Sequence, residues 1–276
     1  MNLTKLIDGI EKSASVNIKA AQGDYLGEDG LLYCHKCNTP KQCRVEILGE
    51  IRTPMCLCKC QVEQRDKEEA ERKRIAFEKR VKEMRRDAFL EAEMRYWTFA
   101  YDDGESSQII SIAKKYVENF DKMREDGKGL LLFGTVGNGK TFAAACIVNA
   151  LIDKGIPCKL AKLSDIAKDI FDSKLNPHDL NRYALLVLDD LMAERKTEYM
   201  QEIVFNVIDS RYNANLPTIV TSNLTADAIK NPADLAYQRI FSRLLEMCVP
   251  IEVKGEDRRR KILKDSFSEY SELLGI

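Results

Sequence analysis

Gly134-Thr135-Val136-Gly137-Asn138-Gly139-Lys140-Thr141, near the middle of this 276-residue chain, has the residue types and spacing of a phosphate-binding loop. It satisfies the pattern GxxxxGK[ST] in full. Glycines let backbone N–H groups close around phosphate oxygens with no Cβ in the way, and a helix opening at the loop's end adds partial positive charge. Lys140 is expected to reach the β- and γ-phosphates of a nucleoside triphosphate, and the Thr141 hydroxyl to hold its Mg²⁺. Asp189 closes the apolar run Ala184-Leu185-Leu186-Val187-Leu188, where a carboxylate can approach the Mg²⁺ shell. Asp190, next along, either polarises an attacking water or only caps the following segment. Asn223 either sits beside the γ-phosphate or occupies a plain loop turn. No Asn-Lys-x-Asp base-reading motif is present, which disfavours a GTPase.

A second chemical feature lies in front. Of nine cysteines, six fall between Cys34 and Cys60, while Cys146, Cys158 and Cys248 are scattered in apolar runs. Cys34-His35-Lys36-Cys37 is a knuckle that lets two thiolates grip one ion from a tight turn, and Cys56-Leu57-Cys58-Lys59-Cys60 offers three more thiols. No long apolar segment for export or membrane spanning is visible, so a cytoplasmic, reducing location is expected, and the cluster points to structural zinc before disulfides. A redox role for Cys34 and Cys37 is the alternative, without a thioredoxin-like pattern around them. The scattered cysteines are expected to be buried small hydrophobes.

The elements that must position these groups separate into three zones, 1–60, 61–97 and 98–276. The first is turn-rich and too small to fold on an apolar core alone. The second is almost continuous charge without Gly or Pro and reads as one long helix, with Phe77, Val81, Met84 and Ala88 on one face. It is expected to be a solvated connecting helix, with packing on a partner or a short coiled coil as the alternatives, although the apolar stripe is too short to sustain heptads. The third alternates short apolar runs with helical patterns. Strands are expected at 130–133, 157–161, 184–188, 217–221 and 249–253. Helices are expected at 141–154, at 163–175 with Ser164 as N-cap, at 197–213 and around 239–247. Five strands alternating with helices imply an α/β fold with a parallel sheet covered on both faces. Lys and Arg number 43 against 44 Asp and Glu, so nucleic-acid contact requires a local patch. Lys159, Lys162, Lys168, Lys174 and Arg182 are the candidates, against the plain reading of a solvated face.

Taken in order, Gly134–Thr141, Leu185–Asp190, Thr218–Asn223, Ile240–Leu244 and Gly255–Arg260 resemble the AAA+ ATPases of the DnaC/IstB type, over roughly residues 98–276. The resemblance implies a three-layer αβα domain with a five-stranded parallel sheet that binds and weakly hydrolyses ATP. It implies that Asn223 is sensor 1, that Arg243 is an arginine finger offered to a neighbouring subunit, and that Arg259 is sensor 2, with Arg258 and Arg260 as register alternatives. Asp190 stands where such proteins commonly carry Glu, and Met192 where many carry Gly. Residues 254–276 are too few for the helical lid of larger relatives. Some loaders of phages and Gram-positive bacteria carry a cysteine-rich zinc module in front. Their pattern of two cysteines before Gln or Arg favours Cys58 and Cys60, preceding Gln61, as partners of Cys34 and Cys37, with Cys56 and then Cys43 in reserve. The implied function is loading of the replicative DNA helicase onto single-stranded DNA, with self-assembly through the ATPase domain. An IstB-like transposition helper is the alternative.

Overall fold

The computed structural model describes residues 20–102, 107–191, 198–232 and 234–255, together with 257, 267, 270, 271, 273 and 274. Met192, Arg258, Arg259 and Arg260 lie outside these residues. The chain divides between Glu78 and Lys79 into two compact units.

In the first unit, two short antiparallel hairpins lead into a helix. Strands β1 (Tyr25–Leu26) and β2 (Leu32–Tyr33) form one, and β3 (Val45–Ile47) and β4 (Glu50–Arg52) the other. The second turns through Leu48 and Gly49 at φ of 55° and 82°, as a two-residue hairpin loop demands. Among the described residues of this unit, the buried ones are Cys34, Lys41 and Cys58. That is no apolar core. The interior is sulfur plus one ion pair, the Lys41 ammonium 2.5 Å from the Asp24 carboxylate.

Helix α1 (Lys59–Ala88) is laced with surface pairs such as Lys73–Glu69 and Arg74–Glu78. Phe77 is exposed, whereas Val81 and Ala88 are buried and Met84 packs beside them in the second unit's core. The helix stops at Ala88 instead of running to residue 97. Tertiary contacts overrule the charge pattern there: Phe89 is buried and bridges Leu160 as a parallel strand would. The Tyr183 hydroxyl donates to Asp87 Oδ2 at 2.7 Å, and Lys162 pairs with Glu91. Short 3₁₀ turns follow at Glu93–Tyr96 and Phe99–Tyr101.

After α2 (Ser107–Glu118) and α3 (Phe120–Glu125), the chain enters the sheet at β5 (Gly129–Phe133). It then runs through α4 (Lys140–Asp153), β6 (Cys158–Lys162), α5 (Leu163–Phe171), a 3₁₀ turn at Pro177–Arg182 and β7 (Leu185–Leu191). Helix α6 (Glu198–Asn213), β8 (Thr218–Ser222), α7 (Ala226–Lys230), α8 (Leu235–Met247) and β9 (Cys248–Glu252) complete it. All neighbours pair in parallel in the order β6-β7-β8-β5-β9. Alternate side chains split between two cores. Leu130, Leu132, Leu185, Val187 and Ile219 face the layer with α2 and α4. Leu131, Phe133, Leu186, Leu188 and Val220 face the layer with α5, α6 and α8. The three-layer α/β expectation therefore holds. Two details differ. Helix α5 ends at Phe171, and its N-cap is Lys162 without a side-chain bond, so Ser164 lies inside the helix. Pro250 is tolerated because β9 is an edge strand. No described helix is long and apolar enough to cross a membrane.

Cys146, Cys158 and Cys248 are buried as expected, and burial pushes each thiol up to about 12. Arg211 is the unexpected interior residue, with no exposure at all. It donates to the carbonyls of Leu180, Tyr183 and Pro217 and to Thr218 Oγ1, tying α6 to the start of β8 and to the approach to β7. Burial pulls its pKa down to about 10, so it remains charged at neutral pH. Arg211→Met would leave these acceptors unpaired in the interior, at roughly 1–3 kcal/mol each before relaxation. A loss of several kcal/mol is expected in urea unfolding of the full chain. A midpoint equal to the parent's would show that the guanidinium holds nothing together.

Candidate functional site: a phosphate loop and two acidic residues

Strand β5 ends at Phe133 between β8 and β9, and the loop that follows carries the glycine motif into α4. Gly134, Gly137 and Gly139 adopt φ of 131°, 82° and 86°, which side chains with a Cβ rarely do. A Cβ on Gly134 would strike the Val253 carbonyl, and one on Gly137 the Asp257 carboxylate. Asn138 is buried and donates to the Val253 carbonyl, fastening the loop to the exit of β9. Val136 is exposed at the rim. Lys140 is curled into its own loop, its ammonium 2.9 Å from the Gly134 carbonyl, 2.7 Å from that of Thr135 and 3.1 Å from Asn138 Oδ1. These are acceptors that phosphate oxygens can replace.

Thr141, on the first turn of α4, donates its hydroxyl to Asp189 Oδ1 at 2.9 Å. The same oxygen accepts the Thr221 hydroxyl at 2.6 Å. Asp189 is 4% exposed, and burial raises its pKa above the usual carboxylate range, opposed by these two hydroxyls. A desolvated carboxylate beside a threonine hydroxyl at the mouth of a phosphate loop is a donor set that fits Mg²⁺. Asp190 sits at φ of 64°. Its N–H donates to Thr221 Oγ1 at 2.9 Å, and its Oδ1 accepts from Asn223 Nδ2 at 2.8 Å. The structure thus brings Thr141, Asp189, Asp190 and Asn223 together with the phosphate loop. Thr221, which sequence reasoning passed over, is the link. By type it does not stand out, since Thr218, Thr221 and Ser222 all put hydroxyls into this fully buried strand. A cavity of 240 Å³ opens beside the loop, walled by Gly134, Thr135, Asn223, Thr225, Lys254 and Gly255 among others. Such a crevice at the carboxyl ends of parallel strands is where α/β folds hold ligands.

Arg243 takes no part in those contacts. Its guanidinium is 2.7 Å from Asp209 and stacks on Phe205 and Tyr212, while Arg239 shares the Phe205 ring. Of the candidate DNA-contacting cations, Lys159 donates to the Asp87 carbonyl, Lys162 pairs with Glu91, Lys174 with Asp172, and Arg182 donates to Tyr183 Oη. Lys168 is exposed on α5.

In the first unit the sulfurs of Cys34, Cys37, Cys58 and Cys60 all lie within 4.8 Å of one another. Cys34 and Cys60 are 3.7 Å apart, and Cys58 and Cys60 are 3.3 Å apart. Tetrahedral zinc with ~2.3 Å Zn–S bonds spaces its sulfurs by about 3.8 Å. The four therefore fit a zinc tetrathiolate. Cys56 and Cys43 point to backbone carbonyls of Pro40 and Pro54. The Thr39 hydroxyl lowers the pKa of Cys37, whereas the neighbouring Cys58 raises that of Cys60. Asp24, held well below the usual carboxylate range by Lys41, accepts the His35 backbone N–H and so braces the knuckle.

Residues 64–266 match the family model described as IstB-like ATP binding protein. The chain belongs to that family. It is 24% identical over 208 residues to the replicative helicase loader DnaI of Bacillus subtilis (strain 168), covering 68% of this chain and 66% of DnaI. It is 27% identical over 143 residues to the replicative helicase loader DnaC of Escherichia coli (strain K12), covering 49% of this chain and 56% of that protein. The chain thus spans less than two thirds of the length of these relatives. A crystal structure of the DnaC helicase loader aligns with a TM-score of 0.50 at 27% identity, over 59% of this chain and all of that one. A putative primosome component from Streptococcus pyogenes serotype M3 aligns with a TM-score of 0.51 at 21% identity, over 61% and 91%, a likeness of fold alone. The AAA+ expectation for the fold stands.

The raised pKa of Asp189 means that the folded protein binds this proton more tightly than the unfolded chain does. The ionised form therefore costs stability above the folded-state pKa, and the cost fades as pH falls through it. Asp189→Asn keeps an oxygen for both hydroxyls and removes the buried charge. Its nucleotide-free unfolding midpoint at neutral pH is expected to rise above the parent's, and the further rise given by Mg–ATP to vanish. A variant less stable than the parent at neutral pH, yet stabilised equally by Mg–ATP, would overturn this reading of Asp189.

Proposed function

We propose that this chain is an ATP-driven loader of a replicative DNA helicase onto single-stranded DNA. The observation that carries the nucleotide half is the convergence of Thr141, Asp189, Asp190 and Asn223 on the mouth of the phosphate loop. ATP would lie with its phosphates against the backbone of Gly134–Thr141 and Lys140. Thr141 and Asp189 would hold Mg²⁺, which supplies charge neutralisation on the β- and γ-oxygens when bound. Asp190, oriented by Asn223 as sensor 1, would accept a proton from a water whose oxygen bonds to the γ-phosphorus. The bond to the β–γ bridging oxygen then breaks, and its electrons leave with ADP. Asp is one methylene shorter than Glu, which suits weak basal turnover. Arg243 would complete a neighbouring subunit's site and Arg259 would act as sensor 2, with Arg258 and Arg260 as alternatives.

The loading half rests on the likeness to DnaI and DnaC, whose names state that role. The cysteine-bound module at residues 1–60 would be the helicase-attachment part, 61–97 the connecting segment and 98–276 the ATPase. Residues 79–97 also pack into the second unit's core, through Val81, Phe89 and Met94, so a separation that respects packing falls at Glu78. For DNA, an exposed aromatic pair is the feature of interest. Phe171 and Tyr199 meet edge to face with centroids 5.6 Å apart, near the exposed Lys168 on α5. Bases stack on such platforms without sequence preference.

With full-length protein, capture of the replicative helicase and its transfer to single-stranded circular DNA are expected to need ATP, and Lys140→Ala should lose transfer. Phe171→Ala should weaken single-strand binding by roughly tenfold, within the ~1–3 kcal/mol that one stacked base provides, while leaving ATP binding intact. No helicase capture, combined with stimulation of a transposase, would replace this reading by that of an IstB-like helper.

One zinc per chain is expected, bound through Cys34, Cys37, Cys58 and Cys60. Cys58→Ser should lower the zinc measured in protein purified without added metal, whereas Cys56→Ser should not. Metal-free protein whose first unit is folded and reduced would refute the zinc site.

A further inference from the structure

Asp189 and Asp190 do not pair with β8 as ordinary strand residues. Leu188 pairs with Val220 and Leu191 with Ser222, so both acids oppose the single residue Thr221. That is a bulge, and bulges turn side chains away from their regular alternation. Thr221 fills it from β8 with 2% exposure. The direction of its hydrogen bonds follows from chemistry. The Asp190 N–H, 2.9 Å from Thr221 Oγ1, can only donate. The hydroxyl must therefore accept there and spend its one proton elsewhere, and Asp189 Oδ1 lies 2.6 Å away. One buried hydroxyl thus holds the first acid by its side chain and the second by its backbone. Asp190 pays for a left-handed conformation at φ of 64°, and the bond to its N–H helps to hold it there. That conformation delivers its carboxylate to Asn223.

We propose that Thr221 is a positioning residue for phosphoryl transfer, clamping the bulge so that Asp189 faces the cation site and Asp190 faces the water as one unit. The inference rests on the ATPase reading above. It predicts that the hydroxyl, and not the volume of the side chain, sets both Mg²⁺ use and turnover.

The test uses the full chain with Thr221→Val, which keeps the shape and removes the hydroxyl, and Thr221→Ser, which keeps the hydroxyl. Binding of a non-hydrolysable fluorescent ATP analogue is measured with and without Mg²⁺, and kcat and KM are measured separately. For Thr221→Val, binding without Mg²⁺ should match the parent's, because the phosphate loop and Lys140 are untouched. The Mg²⁺ concentration for half-maximal enhancement of binding should rise, and kcat should fall, each by roughly 10- to 100-fold, as for other groups that orient metal ligands. Thr221→Ser should restore both. If the valine protein does not fold, Thr221→Cys, a weaker donor of similar size, carries the test, with values between those of the parent and a full loss. Equal losses in the valine and serine proteins would show that only packing matters and overturn the proposal, as would parental Mg²⁺ dependence and kcat in the valine protein. A parent that neither binds nor hydrolyses ATP would instead refute the ATPase reading, and this inference with it.

Discussion

The second unit is organised around a carboxylate buried at the carboxyl end of a central parallel strand. Asp189 is almost fully withdrawn from water, and its oxygen meets two neutral hydroxyls rather than a cation. An ionised group in that setting is under-compensated, which is why its pKa rises. Parallel pairing makes the placement possible. Strands β5, β7 and β8 all run the same way, so their final residues gather at one end of the sheet. Thr141 comes from the helix after β5, Asp189 from β7 and Thr221 from β8. The strand that stands between β5 and β7 in the sheet is β8, although β6 is the one between them in the chain. That reordering lets a threonine late in the sequence share one acid oxygen with the phosphate loop's threonine.

The loop itself is held open by its surroundings. Strand β5 turns into it with β9 on its other side, and the carbonyl just past β9 takes the Asn138 amide. Positive φ at three glycines keeps Cβ atoms out of the concave side. Lys140 satisfies itself on loop carbonyls in the meantime. A phosphate therefore exchanges with internal acceptors of Lys140 in a loop already shaped for it, so less ordering entropy stands against binding.

Much of this was legible in the sequence because the physics is local. Apolar runs such as Leu130–Phe133 and Leu185–Leu188 read as buried strands, and each strand of the parallel sheet lies within a few residues of its expected range, whereas the short hairpin strands of the first unit carry no such run. The phosphate loop is local in the same sense. What was not legible depends on register or on contacts distant in the chain. No Gly or Pro marks the end of α1 at Ala88; the helix ends where Phe89 meets Leu160, seventy-one residues on. Thr221 is an ordinary strand residue by type, and acquires its role only when β7 slips against β8. Arg211 reads as a solvent cation at the end of a helix, yet four acceptors from two stretches of chain, 180–183 and 217–218, enclose it. Among the cysteines, Cys56 has the same type and nearly the same position as Cys58. The backbone course after Met55 separates them, turning Cys58 towards Cys34 and leaving Cys56 on the Pro40 carbonyl.

The setting of Arg243 bears on how subunits would communicate. An arginine offered to a neighbour's phosphate must be available, and here it is held by Asp209 and two aromatic rings of α6. The side chain is 31% exposed, so solvent screens the ion pair, and such pairs contribute at most about 1 kcal/mol. Cation–π contacts at exposed sites add about 0.5–1 kcal/mol each. Releasing the guanidinium thus costs on the order of 1–3 kcal/mol. Contact with the charge that builds on the transferring phosphoryl group, worth 10³–10⁵ in rate for arginine fingers, exceeds that cost in the transition state. On the proposed reading, the clasp would keep Arg243 ordered but replaceable. It is weak enough to yield to a neighbour's triphosphate and strong enough to hold the side chain against α6 when none is there.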